Sequence, residues 1–170
     1  MKKNEGIITF LGNAMTLVGD MVKVGDKAID FTVLSTDLKL VKLSDYAGKT
    51  LILSIAPSID TGVCASQTRR FNVEAAKLEN INILSITADL PFALKRFCGA
   101  EGIDQVVTLS DHKDTDFGLK YGFLIEELRL NTRGIVIIDK EGFVRYVEYV
   151  KEVTNHPDYD AALAAVKEIA

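Results

Sequence analysis

The sequence predicts an α/β fold built on a central mixed sheet. Two observations carry this. Between residues 49 and 120, short runs rich in β-branched and apolar residues alternate with helical segments, and strand pairs flank that region on both sides. The alternation calls for parallel strands joined by crossover helices, and the flanking pairs add antiparallel strands. In chain order, residues 6–19 read as a β-hairpin turning at Gly12-Asn13, after a flexible tail at residues 1–5. Phe31-Thr32-Val33-Leu34 and the run from Leu38 to Leu43 read as a short strand pair. Lys49–Ile55 is a buried strand, because its apolar run is too short for a helix. A helix follows over 61–79, with Asp60 or Thr61 able to cap it. Next come a strand at 81–87 and a helix at 91–98, opened by Pro91 and closed by Gly99. A strand at 105–109 and a helix at 114–120 complete the alternation. Residues 134–139 and 143–150 then pair about Lys140-Glu141-Gly142, and an amphipathic helix runs from Pro157 to Ile169.

A βαβ half joined to a β-hairpin and a closing helix is the thioredoxin-like arrangement. With 170 residues and 48% hydrophobic content, the expectation is one such domain spanning 1–170. A net charge of −4 argues against a nucleic-acid partner. No apolar stretch approaches the roughly 20 residues that span a bilayer. Lys2 and Lys3 before an apolar run mimic a signal peptide, but Glu5 breaks the basic region and Gly12-Asn13 breaks the apolar one. The expected compartment is therefore the cytoplasm, where a disulfide is transient and catalytic.

The chain has two cysteines, Cys64 and Cys98, and no C-x-x-C, which excludes a thioredoxin-type dithiol and a zinc knuckle. Cys64 falls in the first turn of the 61–79 helix, where free N–H groups and the positive end of the dipole favour an anion. Cys64, Thr68, Phe71, Ala75 and Leu78 share one face, with Arg70, Glu74 and Lys77 opposite. The sulfur is thus expected to face the protein body at the strand–helix junction. Cys98 falls near the end of its helix, where the dipole disfavours an anion. The two sulfurs are electrostatically unequal: Cys64 suits first attack, and Cys98 a second, slower role. Each also reads, taken alone, as a small buried apolar residue.

Pro57-x-x-x-Thr61-x-x-Cys64 matches a peroxiredoxin active-site signature. With Ser58-Ile59-Asp60-Thr61, Arg69-Arg70-Phe71-Asn72, Ala88-Asp89-Leu90-Pro91-Phe92-Ala93 and Arg96-Phe97-Cys98-Gly99, the chain resembles the thiol peroxidases, the bacterial branch of the atypical two-cysteine peroxiredoxins. The resemblance runs from the N-terminal hairpin to the last helix. It implies a peroxidatic cysteine at Cys64, a resolving cysteine at Cys98, and an arginine before a late strand, which is Arg133. It further implies a hydroperoxide substrate, recycling by thioredoxin or a similar dithiol, and a homodimer. Peroxide cleavage is a displacement by thiolate, and an arginine can hold fixed positive charge near the sulfur and the leaving oxygen. The Thr61 hydroxyl can donate to sulfur or peroxide while accepting from a backbone N–H, and the Pro57 ring can shield the sulfur from water. Singly, Thr61 reads as a helix cap, Pro57 as a strand terminator and Arg133 as a surface charge. A disulfide between Cys64 and Cys98 is expected to require partial unwinding of both helices, since bridged Cα atoms lie within about 7 Å.

His112 and His156 lack metal-ligand spacing, and no G-x-G-x-x-G or Walker loop is present, so neither a metal nor another cofactor is expected. The competing reading is a redox sensor or relay that passes oxidation to partner proteins by thiol–disulfide exchange.

Overall fold

A computed structural model describes residues 1–169. Its strands are β1 (Lys3–Phe10), β2 (Asn13–Val18), β3 (Thr32–Leu34), β4 (Leu40–Lys42), β5 (Thr50–Ile55), β6 (Ile81–Thr87), β7 (Val106–Ser110), β8 (Leu124–Ile125), β9 (Leu130–Asn131), β10 (Gly134–Ile138) and β11 (Val144–Tyr149). Its α-helices are α1 (Gly62–Ala75), α2 (Pro91–Glu101), α3 (Asp116–Tyr121) and α4 (Tyr159–Ile169). Seven strands form one sheet in the order β11-β10-β5-β6-β7-β3-β4. The β5–β6 and β6–β7 pairs are parallel, and the outer pairs are antiparallel. This is the mixed, thioredoxin-like sheet read from the sequence.

The central strands are buried on both faces, which explains their continuous apolar runs. On one face, Leu51, Leu53, Ile55, Leu84, Ile86, Leu109 and Val136 pack on an aromatic group of Phe31, Phe117, Tyr121 and Phe123. On the other, Ile52, Ile83, Val106, Ile135 and Ile137 pack under Ala65 and Phe71 of α1, Leu94 and Phe97 of α2, and Ala162 and Val166 of α4. Ile52 is fully buried at the centre of that layer, and burying such a side chain contributes about 1.5–3 kcal/mol. The helices are therefore seated by apolar contacts, which place their first turns at the carboxyl ends of the parallel strands.

A second sheet, ordered β1-β2-β8-β9, extends the N-terminal hairpin. It closes over a small core of Ile8, Leu17, Ile125 and Val153. Strand β1 begins at Lys3, so only Met1 and Lys2 precede it, in place of the expected five-residue tail. The reason is pairing beyond a bulge. Gly6, with φ +72, absorbs the register shift between Asn4 and Ile8, and Asn4 Nδ2 then donates to the Leu17 and Gly19 carbonyls. The turn falls at Leu11-Gly12, one residue before the expected position, with φ values of 51 and 79. Both turn N–H groups donate to the Glu152 carboxylate, which holds Leu11 in its left-handed conformation.

Two helix ends also differ from expectation. Helix α1 stops at Ala75, because i→i−3 bonds from Lys77 and Leu78 tighten its last turn ahead of a left-handed Asn80. Helix α2 passes through Gly99 and ends at Gly102, whose φ of 66 allows the closing bond of its N–H to the Cys98 carbonyl. Among the described residues, no helix is long and apolar enough to cross a membrane.

Candidate active site

The loop from Ala56 to Thr61 leaves β5 and turns into α1. Pro57 and Ile59 are buried, and Thr61 is the N-cap, with its Oγ1 accepting the Cys64 N–H at 3.3 Å. Of the two candidate caps, the chain uses Thr61; Asp60 points into solvent. The Thr61 hydroxyl donates to the Ser58 carbonyl at 3.3 Å. Cys64 is fully buried on the inner face of α1, beside Ala65, Gln67, Thr68 and Phe71.

Arg133 reaches the same point from the other side. It precedes β10 and is buried to 2% exposure. Its Nη2 donates to Cys64 Sγ at 3.1 Å, its Nη1 to Gln67 Oε1 at 2.8 Å and its Nε to the Val153 carbonyl at 2.7 Å. No carboxylate of the described residues forms a salt bridge with it. The guanidinium therefore meets one sulfur and two neutral acceptors, an arrangement in which the only ionisable partner in contact is a thiol. The next residue, Gly134, packs closely on β11: a Cβ there would overlap the Glu148 carbonyl oxygen and press the Phe123 ring.

Gln67 was invisible to the sequence reading as a site residue. It lies one turn after Cys64 on the buried face and is 1% exposed. Its Nε2 donates to Ser54 Oγ at 2.7 Å and to the Ile55 carbonyl at 3.2 Å, which orients its oxygen toward Arg133. A glutamine next to the inward stripe of the helix was the available signal. Beside this group, Tyr159 packs edge-on against Phe71 and under Arg70. Burial raises the pKa of its hydroxyl, while the Arg133 and Arg70 charges oppose that shift.

A cavity of about 200 Å³ is lined by Pro57, Thr61, Val63, Arg133, Phe10 and Val153 among others. It is large enough for a small oxidant and brings three of the sequence-predicted residues to one wall. A cavity of about 260 Å³ under Tyr46 and Lys49 lies at the opposite end of β5 and holds no thiol.

Cys98 is elsewhere. It is half-buried in the last turn of α2, and its Sγ lies 3.3 Å from Thr108 Oγ1 on β7. Thr108 is in register with Ser85 on β6, which pairs with Ser54 on β5, which pairs with Ile135 on β10. Thr108 and Ile135 are thus about three strand spacings apart, or ~14 Å, and Arg133, the partner of Cys64, lies two residues before Ile135. Both cysteines are free.

An inward thiol at a helix start, gripped by a buried arginine at the carboxyl edge of a mixed sheet, defines a thiol redox protein on a thioredoxin-like scaffold. Comparison with known proteins agrees. A family model described as Redoxin matches residues 23–163. The thiol peroxidase of Oceanobacillus iheyensis is 58% identical over 157 residues, covering 92% of this chain and 96% of that protein. That of Bacillus subtilis is 57% identical over 160 residues, covering 94% and 96%. A solved structure of a peroxiredoxin-like protein from Aquifex aeolicus superposes with a TM-score of 0.91 at 37% identity, over 98% of this chain and 99% of that one. The chain belongs to the Redoxin family, in its thiol peroxidase branch, and is an oxidoreductase with thiol-dependent peroxidase activity.

Proposed function

We propose that the chain reduces hydrogen peroxide and organic hydroperoxides through Cys64 and regenerates itself through Cys98. The Cys64 thiolate attacks one peroxide oxygen, and the O–O bond breaks. The leaving alkoxide or hydroxide takes a proton, and Cys64 becomes a sulfenic acid. The Cys98 sulfur then attacks the Cys64 sulfur. A disulfide forms, the S–O bond breaks and water leaves. Thioredoxin or a similar dithiol restores both thiols by exchange, ending oxidised itself.

The observation that carries this reading is the 3.1 Å contact between Arg133 Nη2 and Cys64 Sγ. A fixed cation there stabilises the attacking anion and the charge moving onto the departing oxygen. Thr61 and Pro57 stand on the wall of the cavity that admits the peroxide. The separate partners of the two sulfurs support a rearrangement of the first turn of α1 and of α2 before the disulfide closes. By family resemblance the protein acts as a homodimer, which sedimentation would measure.

The test is peroxide consumption with a thioredoxin system. Cys64→Ser should abolish turnover. Cys98→Ser should complete one turnover, leave a Cys64 sulfenic acid and then stop. Full dithiol-dependent turnover by Cys64→Ser would refute the mechanism.

A further inference from the structure

Asp89 touches neither sulfur, yet it joins the segments that carry them. It lies just before Leu90, the N-cap of α2, and faces the loop ahead of α1. Its Oδ1 accepts the Ser58 hydroxyl at 2.6 Å, and its Oδ2 accepts the Ile59 N–H and the Thr87 hydroxyl, both at 2.8 Å. Its own N–H donates to Thr87 Oγ1 at 3.1 Å, and its carbonyl accepts the Ser110 hydroxyl. No cation forms a salt bridge with it among the described residues. The carboxylate is therefore committed to neutral donors on the loop and the sheet, and such charge-assisted bonds are about twice as strong as neutral ones.

The connection continues inward on both sides. Ser58 Oγ accepts the Asp60 N–H at 3.1 Å, and the Ser58 carbonyl accepts both the N–H and the hydroxyl of Thr61 at 3.3 Å. Thr61 in turn caps the turn that holds Cys64. On the other side, Asp89 is two residues from Pro91, the first residue of the helix whose last turn carries Cys98. One carboxylate thus ties the cap of the first cysteine's helix to the root of the second's.

We propose that Asp89 is a positioning residue, a latch that holds the Ser58–Thr61 loop against the start of α2. The latched form presents Cys64 to peroxide in the Arg133 pocket. Release of the latch lets both segments move so that Cys98 Sγ attacks the Cys64 sulfenic sulfur, with water leaving. This rests on the two-cysteine mechanism proposed above. It makes the two steps respond in opposite directions: a weaker latch impairs the first and eases the second.

The experiment is stopped-flow mixing of the reduced full-length protein with hydrogen peroxide. Sulfenic acid formation and disulfide formation are followed as separate phases, and mass spectrometry scores over-oxidised Cys64. In Asp89→Asn, an amide N–H₂ must face a loop or sheet donor, so at least one bond is lost. Sulfenic acid formation should slow by about tenfold and disulfide formation should speed up by about as much, with less sulfinic acid at high peroxide. Ser58→Ala, which removes one limb of the latch and leaves the carboxylate, should shift both phases the same way by a smaller factor. Two phases that slow together, or that both stay unchanged in the two variants, would overturn the latch. A wild-type protein that forms no Cys64–Cys98 disulfide would instead bring down the mechanism beneath it.

Discussion

Replacing Arg133 by Met removes the guanidinium while keeping much of the side-chain volume. The substitution deletes a 3.1 Å charge-assisted bond to Cys64 Sγ between two buried side chains. At an effective dielectric of about 20, a unit charge pair at that distance is worth roughly 5 kcal/mol, which is a ceiling. Part of this is returned, because a less stabilised thiolate is a stronger nucleophile, with a Brønsted slope of about 0.4–0.5. The net loss is then about 2–3 kcal/mol of barrier, or roughly a hundredfold in the rate of sulfenic acid formation at neutral pH. Met also leaves Gln67 Oε1 and the Val153 carbonyl without their donor, at about 1–3 kcal/mol each. Circular dichroism must therefore confirm the fold before rates are compared. Arg133→Lys supplies a charge but not the three-pronged fork, so it should fall between wild type and Arg133→Met. A loss of less than tenfold in a correctly folded Arg133→Met protein would remove the guanidinium from the reaction.

Thr108→Val keeps the shape under Cys98 and deletes its hydrogen-bond partner. Freed of about 1 kcal/mol, Cys98 should form the disulfide roughly fivefold faster, with sulfenic acid formation unchanged in the same stopped-flow traces. Glu152 provides a pH dependence. Five donors, from Thr9, Leu11, Gly12 and Thr154, lower its pKa from 4.5 to about 2, with the Thr154 bonds the largest cause. A depressed acid stabilises the folded state above its ordinary pKa and loses that contribution as pH falls through the folded value. The turn of the N-terminal hairpin should therefore loosen between about pH 4.5 and 2, seen as rising amide exchange at Gly12 and Thr154, and Glu152→Gln should show no such window.

The parallel core and the position of Cys64 were legible because they rest on local signals. β5 and β6 are short runs rich in isoleucine and leucine, and the helix face from Cys64 to Phe71 repeats at helical spacing. Strands β8 and β9 were not legible, since two-residue strands carry no period and exist only by pairing with β2 and each other. The early start of β1 was hidden for a similar reason: Lys3 and Asn4 look like a polar tail until Val18 and Leu17 are placed opposite them. Arg133 came from resemblance alone. Its charge argues for the surface, and its buried guanidinium is met by a carbonyl and a glutamine that no spacing rule connects. Asp89 is hidden likewise, because its donors are assembled from a loop and two strands.

The setting of Arg133 has a consequence for the folded state itself. A buried cation is costly unless an anion or enough acceptors meet it, and among the described residues the ionisable group hydrogen-bonded to Arg133 is Cys64. While that sulfur is ionised, the centre of the molecule is electrically balanced. A neutral sulfenic acid or a disulfide at Cys64 would leave the guanidinium facing only its neutral acceptors, the Gln67 amide oxygen and the Val153 carbonyl. In the proposed cycle, oxidation of Cys64 would thus raise the free energy of the packing around Arg133. In that cycle, one unit of charge lost at a single atom would favour movement of the first turn of α1, and reduction would restore the balance.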